Sequence, residues 1–268
     1  MKTMDYYTAA VAGIEVFVVG WEPDAPRPVV FLTHGRTGSI SGTLAAQAPA
    51  LVEMGLTVVG IDQRNHGRRL INQRLNGDWR AEIPSAMYGI IVGTACDVSL
   101  LIDMLPAQIG LSMDHGVGMM GGSLGGHAVL MAMAMDRRID VGAAMVPSGD
   151  YRMLMTDRMA RNETPAEQFD EFYPPALDAA VRKFDPIHNA SAFADRPLCM
   201  TCGGKDEVVP PATARSFYEA ARSHYSDPER IVMTVYDEAG HATPPEALAQ
   251  QLAWLGLWLI EPGAGASA

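Results

Sequence analysis

The chain has 268 residues, 31 acidic against 20 basic side chains and a formal net charge of −11. That balance excludes nucleic acid and anionic membrane as partners, because both are gripped by a basic footprint. No stretch reaches the roughly 18 consecutive apolar residues of a membrane span, residues 1–13 lack an apolar signal core, and three cysteines are too few, and odd in number, for a disulfide framework. A cytoplasmic protein, monomeric or homodimeric, is expected.

In chain order, apolar runs predict strands at Ile14–Val19 and Val29–Thr33, a helix from about Thr43 to Met54, and a strand at Thr57–Ile61. Helical periodicity over Thr94–Leu105 is broken by Pro106. The run Gly116–Met120 enters a Gly-rich turn and then a helix over His127–Met135. Further strands are predicted at Val141–Val146, Leu198–Thr201 and Ile231–Tyr236, with helices at Pro211–Ser223 and Pro245–Leu259. Short apolar strands separated by helices imply an α/β fold, a mostly parallel sheet covered on both faces. One domain over residues 1–261 is expected, followed by a flexible tail, Pro262–Ala268. Two segments break the rhythm: Arg68–Gly93, and Tyr151–Phe184, which reads as a small helical lid. Connections of such length usually carry function.

Chemistry concentrates at Gly121-Gly122-Ser123-Leu124-Gly125, a GxSxG. It follows the apolar run Val117–Met120 and opens a helix, the strand–turn–helix setting in which a serine nucleophile sits on a sharp elbow. Glycines flank it because a strained turn and close packing leave no room for Cβ atoms. A serine hydroxyl needs a neighbouring base. Of seven histidines, His241 is preferred, since Glu238-Ala239-Gly240-His241 follows the strand Ile231–Tyr236, and catalytic groups gather at the carboxyl ends of such strands. His115 precedes its strand, His188 and His224 read as surface positions, and His127 reads as packing under the elbow.

The acid that orients the imidazole is assigned to Asp206, just past the strand Leu198–Thr201; Asp150 and Glu207 are the rivals. The order Ser123, Asp206, His241 is the order this kind of site uses. An oxyanion needs donors, assigned to the backbone N–H groups of Leu124 and of Arg36 in His34-Gly35-Arg36-Thr37-Gly38. The Arg36 guanidinium either faces the pocket, where it could bind a substrate carboxylate, or turns to solvent or a nearby acid.

Pocket candidates come from the two irregular segments: Trp79, Met87, Tyr88, Tyr151, Met153, Met155 and Phe172, each equally readable as ordinary core. Cys199-Met200-Thr201-Cys202 has CxxC spacing but lies in a predicted strand, where residues three apart face opposite ways, so it reads as core. No metal-ligand spacing such as HExxH occurs, and no cofactor is called for.

Together these residues resemble the α/β-hydrolase superfamily, and within it the small esterases related to dienelactone hydrolases and prolyl-oligopeptidase catalytic domains. The likeness covers roughly Val29 to Leu259. It rests on the elbow, His34-Gly35, Asp62-Gln63-Arg64-Asn65-His66-Gly67, Gly203-Gly204-Lys205-Asp206 with Val209-Pro210, and Gly240-His241. The resemblance implies a structural role for Asp62, Arg64 and His66. It departs from lipase-like esterases, which carry an HGGG run, from dienelactone hydrolases, which carry Cys at the Ser123 position, and from haloalkane dehalogenases, which carry Asp there. The expectation is a serine esterase acting on small to medium acyl esters through an acyl-enzyme. A peptidase or amidase with the same triad, and a ligand-binding or lyase member of the fold, are the alternatives.

Overall fold

The computed structural model describes residues 6–71, 84–163, 165 and 168–260. Its centre is a sheet of β1 (Tyr6–Val11), β2 (Ile14–Val19), β3 (Val29–Thr33), β4 (Thr57–Ile61), β5 (Val117–Gly122), β6 (Val141–Met145), β7 (Leu198–Gly203) and β8 (Ile231–Tyr236). The spatial order is β1-β2-β4-β3-β5-β6-β7-β8. β1 and β2 pair antiparallel, β2 joins β4 antiparallel, and every pairing from β4 to β8 is parallel. The parallel strands β3 and β4, VVFLT and TVVGI, are buried at every residue, as strands covered on both faces must be.

Two apolar layers enclose the sheet. On one side α1 (Ile40–Glu53) and α8 (Pro245–Leu255) pack through Ile40, Leu44, Leu51 and Leu255. On the other lie α2 (Pro84–Ile109), α3 (Leu124–Met135) and α7 (Pro211–Arg222), joined by Leu101, Leu130 and Phe217. α3 is buried at ten consecutive residues, Leu124 to Met133. A helix apolar all round belongs in a core, and this one stands directly behind the elbow. Between β6 and β7 lie α4 (Tyr151–Arg161), α5 (Phe169–Phe172) and α6 (Pro175–Phe184), in the segment expected to hold short helices.

The structure departs from the expected elements most at β1 and α2. β1 was not foreseen; it is tied to β2 by a two-residue loop, Ala12-Gly13, with φ of 51° and 79°, the left-handed pair that a tight hairpin requires. α2 is far longer than Thr94–Leu105. It starts at Pro84, a residue whose fixed φ suits a first helical turn, and runs through Pro106 to Ile109. Pro106 lies in the last turn, so the one bond it forfeits, to the Ile102 carbonyl, and the break it causes fall at the helix end. By length and apolarity α2 matches a membrane span, yet twelve of its residues, Ile91, Val98 and Leu105 among them, are buried in the protein. The predicted tail, Pro262–Ala268, lies outside the described residues.

Candidate active site

Ser123 sits between β5 and α3 with φ 55° and ψ −116°, a conformation costly for any residue with a side chain and found where surrounding structure enforces it. Enforcement is visible. The Ser123 amide donates to the Met145 carbonyl at 2.9 Å, and the Ser123 carbonyl accepts from His127 N–H at 2.9 Å. A Cβ at Gly125 would approach the Thr33 and His34 carbonyls to 2.9 Å, and one at Gly121 would run into Gly125. The two outer glycines of the motif are therefore packing requirements.

His241, on the loop after β8, places Nε2 3.0 Å from Ser123 Oγ and Nδ1 2.8 Å from Asp206 Oδ2. Asp206 is 4% exposed, and its other oxygen accepts from the Val208 and Val209 amides at 2.8 and 2.9 Å. Burial pushes this carboxyl up, but the hydrogen bonds to His241 and to those amides outweigh it and hold the pKa below the ordinary value. An ionised carboxylate only accepts, so His241 Nδ1 carries the proton and Nε2 presents a lone pair to the serine hydroxyl. The loops are tied together: Lys205 N–H donates to Ala239 O at 2.8 Å, Gly204 N–H to Tyr236 O at 2.9 Å, and Lys205 pairs with Glu238.

The rivals lie elsewhere. Asp150 caps α4, accepting from Met153 N at 2.9 Å and from Ser216 Oγ at 3.0 Å. Glu207 is exposed, as are His115, His188 and His224. His127 is buried under the elbow, where its Nδ1 accepts from the Ser148 amide at 2.7 Å. Burial pulls it down to about 3, so it is neutral.

The loop after β3 passes beside Ser123: a Cβ on Gly35 would lie 3.7 Å from Ser123 Cβ. His34 fixes this loop, its Nε2 accepting from Gln63 N at 3.1 Å and its Nδ1 lying 2.8 Å from Gly35 O. Behind it Asp62 accepts from the Ile40 and Arg68 amides at 2.7 and 2.9 Å, and Arg64 forks onto Asp97. These residues brace the loop.

A cavity of about 580 Å³ opens over Ser123 and His241, lined also by Arg36, Leu124 and Met87. Of the other pocket candidates, Tyr88 and Tyr151 are buried and pack ring against ring at a 50° tilt, with Tyr151 OH donating to Pro84 O at 2.7 Å. Met155 is buried in the core and Met153 is exposed on the surface. These four do not line the cavity; they were predicted from segment membership alone, and α4 turns Met153 outward and Met155 inward. Trp79 and the Phe172 side chain lie outside the described residues. Sequence reasoning missed Met145, Val146, Val208, Val209 and Thr243. The first four end or closely follow β6 and β7, so the rule that ligands gather at carboxyl ends of strands could have found them. Arg158 of α4 also lines the cavity, and no sequence signal marked it. Cys199 and Cys202 are buried, with burial pushing both thiols up to about 12, and no metal-binding cluster occurs among the described residues.

Residues 94–261 match the prolyl oligopeptidase family. The chain belongs to that family. Among its relatives, "Putative esterase YitV" of Bacillus subtilis (strain 168) is 26% identical over 93% of this chain and 97% of its own. TT1662 from Thermus thermophilus superposes with a TM-score of 0.76 at 24% identity, covering 96% of this chain and 98% of its own. The Pyrococcus furiosus esterase Pf2001 gives 0.66 at 17% identity, covering 96% and 94%. The fold is that of the α/β-hydrolases, to which this family belongs.

Proposed function

We propose that this member of the prolyl oligopeptidase family hydrolyses carboxylic esters of small to medium acyl chains, with Ser123 as nucleophile, His241 as base and Asp206 as orienting acid. The observation that carries this reading is the continuous run of hydrogen bonds from Asp206 through His241 to Ser123 at 2.8 and 3.0 Å. The descriptions of YitV and Pf2001 as esterases support the same substrate class.

In this mechanism His241 Nε2 takes the hydroxyl proton as Ser123 Oγ attacks the ester carbonyl. Negative charge on the carbonyl oxygen is met by the backbone N–H groups of Leu124 and Arg36. Leu124 opens α3, whose first N–H groups have no acceptor within the helix. His241 then gives its proton to the departing alcohol, and water repeats the sequence on the acyl-serine. Asp206, ionised throughout, stabilises the imidazolium.

The test is active-site titration with a fluorophosphonate and para-nitrophenyl acetate, on wild type and Ser123→Ala. Stoichiometric labelling and an ester burst are expected, both lost in the variant. A wild type that neither labels nor turns over ester overturns the reading. The family's name gives weight to amide cleavage as a second reading, since the same three residues serve a peptide bond; matched ester and anilide substrates separate the two.

A further inference from the structure

His127 stands one helical turn past Ser123 on α3, its amide donating to the Ser123 carbonyl at 2.9 Å. It is 6% exposed, and it lines the cavity over Ser123 and His241. Its two ring nitrogens have different surroundings. Nδ1 lies 2.7 Å from the Ser148 amide. A backbone N–H only donates, so Nδ1 offers its lone pair, and in the neutral ring the proton is then on Nε2. Burial, and then the charges of Arg158 and His241, keep the ring from taking a second proton, against a lesser opposite pull from Asp206. Nε2 meets no acceptor among the described residues, yet it is not sealed inside the protein as the orphaned Nε2 of His66 is. It therefore opens on the cavity that the residue lines, as a fixed N–H donor. Met145, Val146, Val208 and Val209 supply apolar wall to the same cavity, and the Thr243 hydroxyl is taken up by Met145 Sδ at 2.9 Å. A few fixed polar groups in an apolar pocket are what orients a ligand.

The sheet order tells which part of an ester this donor faces. Ser148 follows β6, and beyond β6 come β7 and β8, the strands that Asp206 and His241 follow. His241 delivers its proton to the departing oxygen, so the alcohol lies on that flank of Ser123. We infer that His127 Nε2–H is a binding point for an ether or hydroxyl oxygen in the alcohol part of the substrate, making esters of oxygenated alcohols preferred over esters of hydrocarbon alcohols of the same length. Hydrolysis then releases the acid and an alcohol that carries a second oxygen. A hydrocarbon chain laid over the donor strips it of water and returns no acceptor, whereas an oxygen restores the bond. This inference rests on the ester-hydrolase reading above.

The test compares methoxyethyl butyrate with butyl butyrate, and methoxypropyl butyrate with pentyl butyrate, each kcat/KM divided by the ester's hydroxide-catalysed rate constant. All four form the same butyryl-enzyme, so a difference belongs to the alcohol part. In wild type at least one ether ester is expected to exceed its hydrocarbon partner about tenfold or more, the scale of leaving one buried donor unpaired. His127→Asn keeps an acceptor for the Ser148 amide but is too short to place a donor where Nε2 stands, and it is expected to bring the ratio close to one. Ratios near one for both pairs in wild type overturn the binding point, as does an unmoved preference in a His127→Asn protein that still labels at Ser123. If His127→Asn fails to fold, the wild-type ratios decide together with nitrogen NMR of the His127 ring, which is expected to carry its proton on Nε2; a proton on Nδ1 overturns the proposal. Failure to hydrolyse any of the four overturns the hydrolase reading alone. Calorimetric binding of the intact esters to wild type then judges the donor: tighter binding of an ether ester upholds it, and equal binding overturns it.

Discussion

Gly203, at the end of β7, lies so close to Gly240 that a methyl group on its α carbon would collide with the Gly240 carbonyl oxygen. The loop bearing Asp206 and the loop bearing His241 are thus locked together by backbone contact, in addition to their hydrogen bonds. Gly203→Ala is expected to cost about 1–3 kcal/mol of stability through overpacking and to lower kcat/KM about a hundredfold by displacing the base from Ser123. Urea denaturation and ester kinetics on the same preparation check both; unchanged kinetics would show that the loops are placed by other contacts.

Asp206→Asn keeps the size of the side chain but alters the bond to His241. An amide can present N–H to Nδ1, which favours the imidazole tautomer with its proton on Nε2, facing Ser123. A fall in kcat of about 10⁴ is expected, the scale such a change has in other serine hydrolases. Single-turnover kinetics will show whether acylation is the step that fails.

His127 is neutral in the folded protein, with burial holding it near pH 3 in place of its ordinary 6.5. Below pH 6.5 the unfolded chain takes up a proton that the folded chain refuses, so stability falls as pH drops from 6.5 towards 3. His127→Asn can still offer an acceptor to the Ser148 amide, which is bonded to Nδ1 in the native protein, and it cannot protonate. Denaturant titrations at pH 6 and pH 4.5 are expected to show a smaller loss in the variant than in wild type. Equal losses would mean that His127 plays no part in the acid sensitivity.

The buried carboxyl of Asp185 works in the opposite direction. Burial, with a lesser contribution from Asp150, raises it to about 8, even though it accepts from the Tyr151 amide at 2.8 Å. Between its ordinary value of 3.8 and about 8 the unfolded chain releases a proton that the folded chain keeps, so rising pH removes stability across this window. Asp185→Asn can still accept from Tyr151 and is expected to flatten the wild-type decline between pH 5 and pH 8. The difference between the two proteins' Tm values across that range is the measurement.

Much of this architecture is legible in the chain because parallel strands buried on both faces are written as unbroken apolar runs. Val29–Thr33 and Thr57–Ile61 match the observed strands residue for residue. Residues 121–125, 206 and 241 stand out for a related reason: each follows a strand, and that position implies a place at one edge of the sheet. Tyr6–Val11 escaped notice because an edge strand exposed over most of its length lacks the apolar signature. The start of α2 escaped because Pro84–Gly93 falls in the weakly periodic segment Arg68–Gly93. The lining of the cavity was the least legible. Met153 and Met155 lie two residues apart on α4, with 38% and 1% of their surfaces exposed, and only the packing of that helix decides which side chain meets the interior. Arg158 is marked by that packing alone.

The order of the strands also bears on how the protein is made. Ser123 follows β5, while its partner histidine follows β8, the last of the described strands and one border of the sheet they form. During synthesis the elbow emerges well before His241, and β8 has no neighbour but β7 to pair with. A nascent chain therefore carries Ser123 without His241 beside it until β8 has docked. On the proposed mechanism, hydrolytic competence waits for β8 to pair with β7, and a chain cut short before β8 would hold Ser123 without the imidazole that meets its hydroxyl.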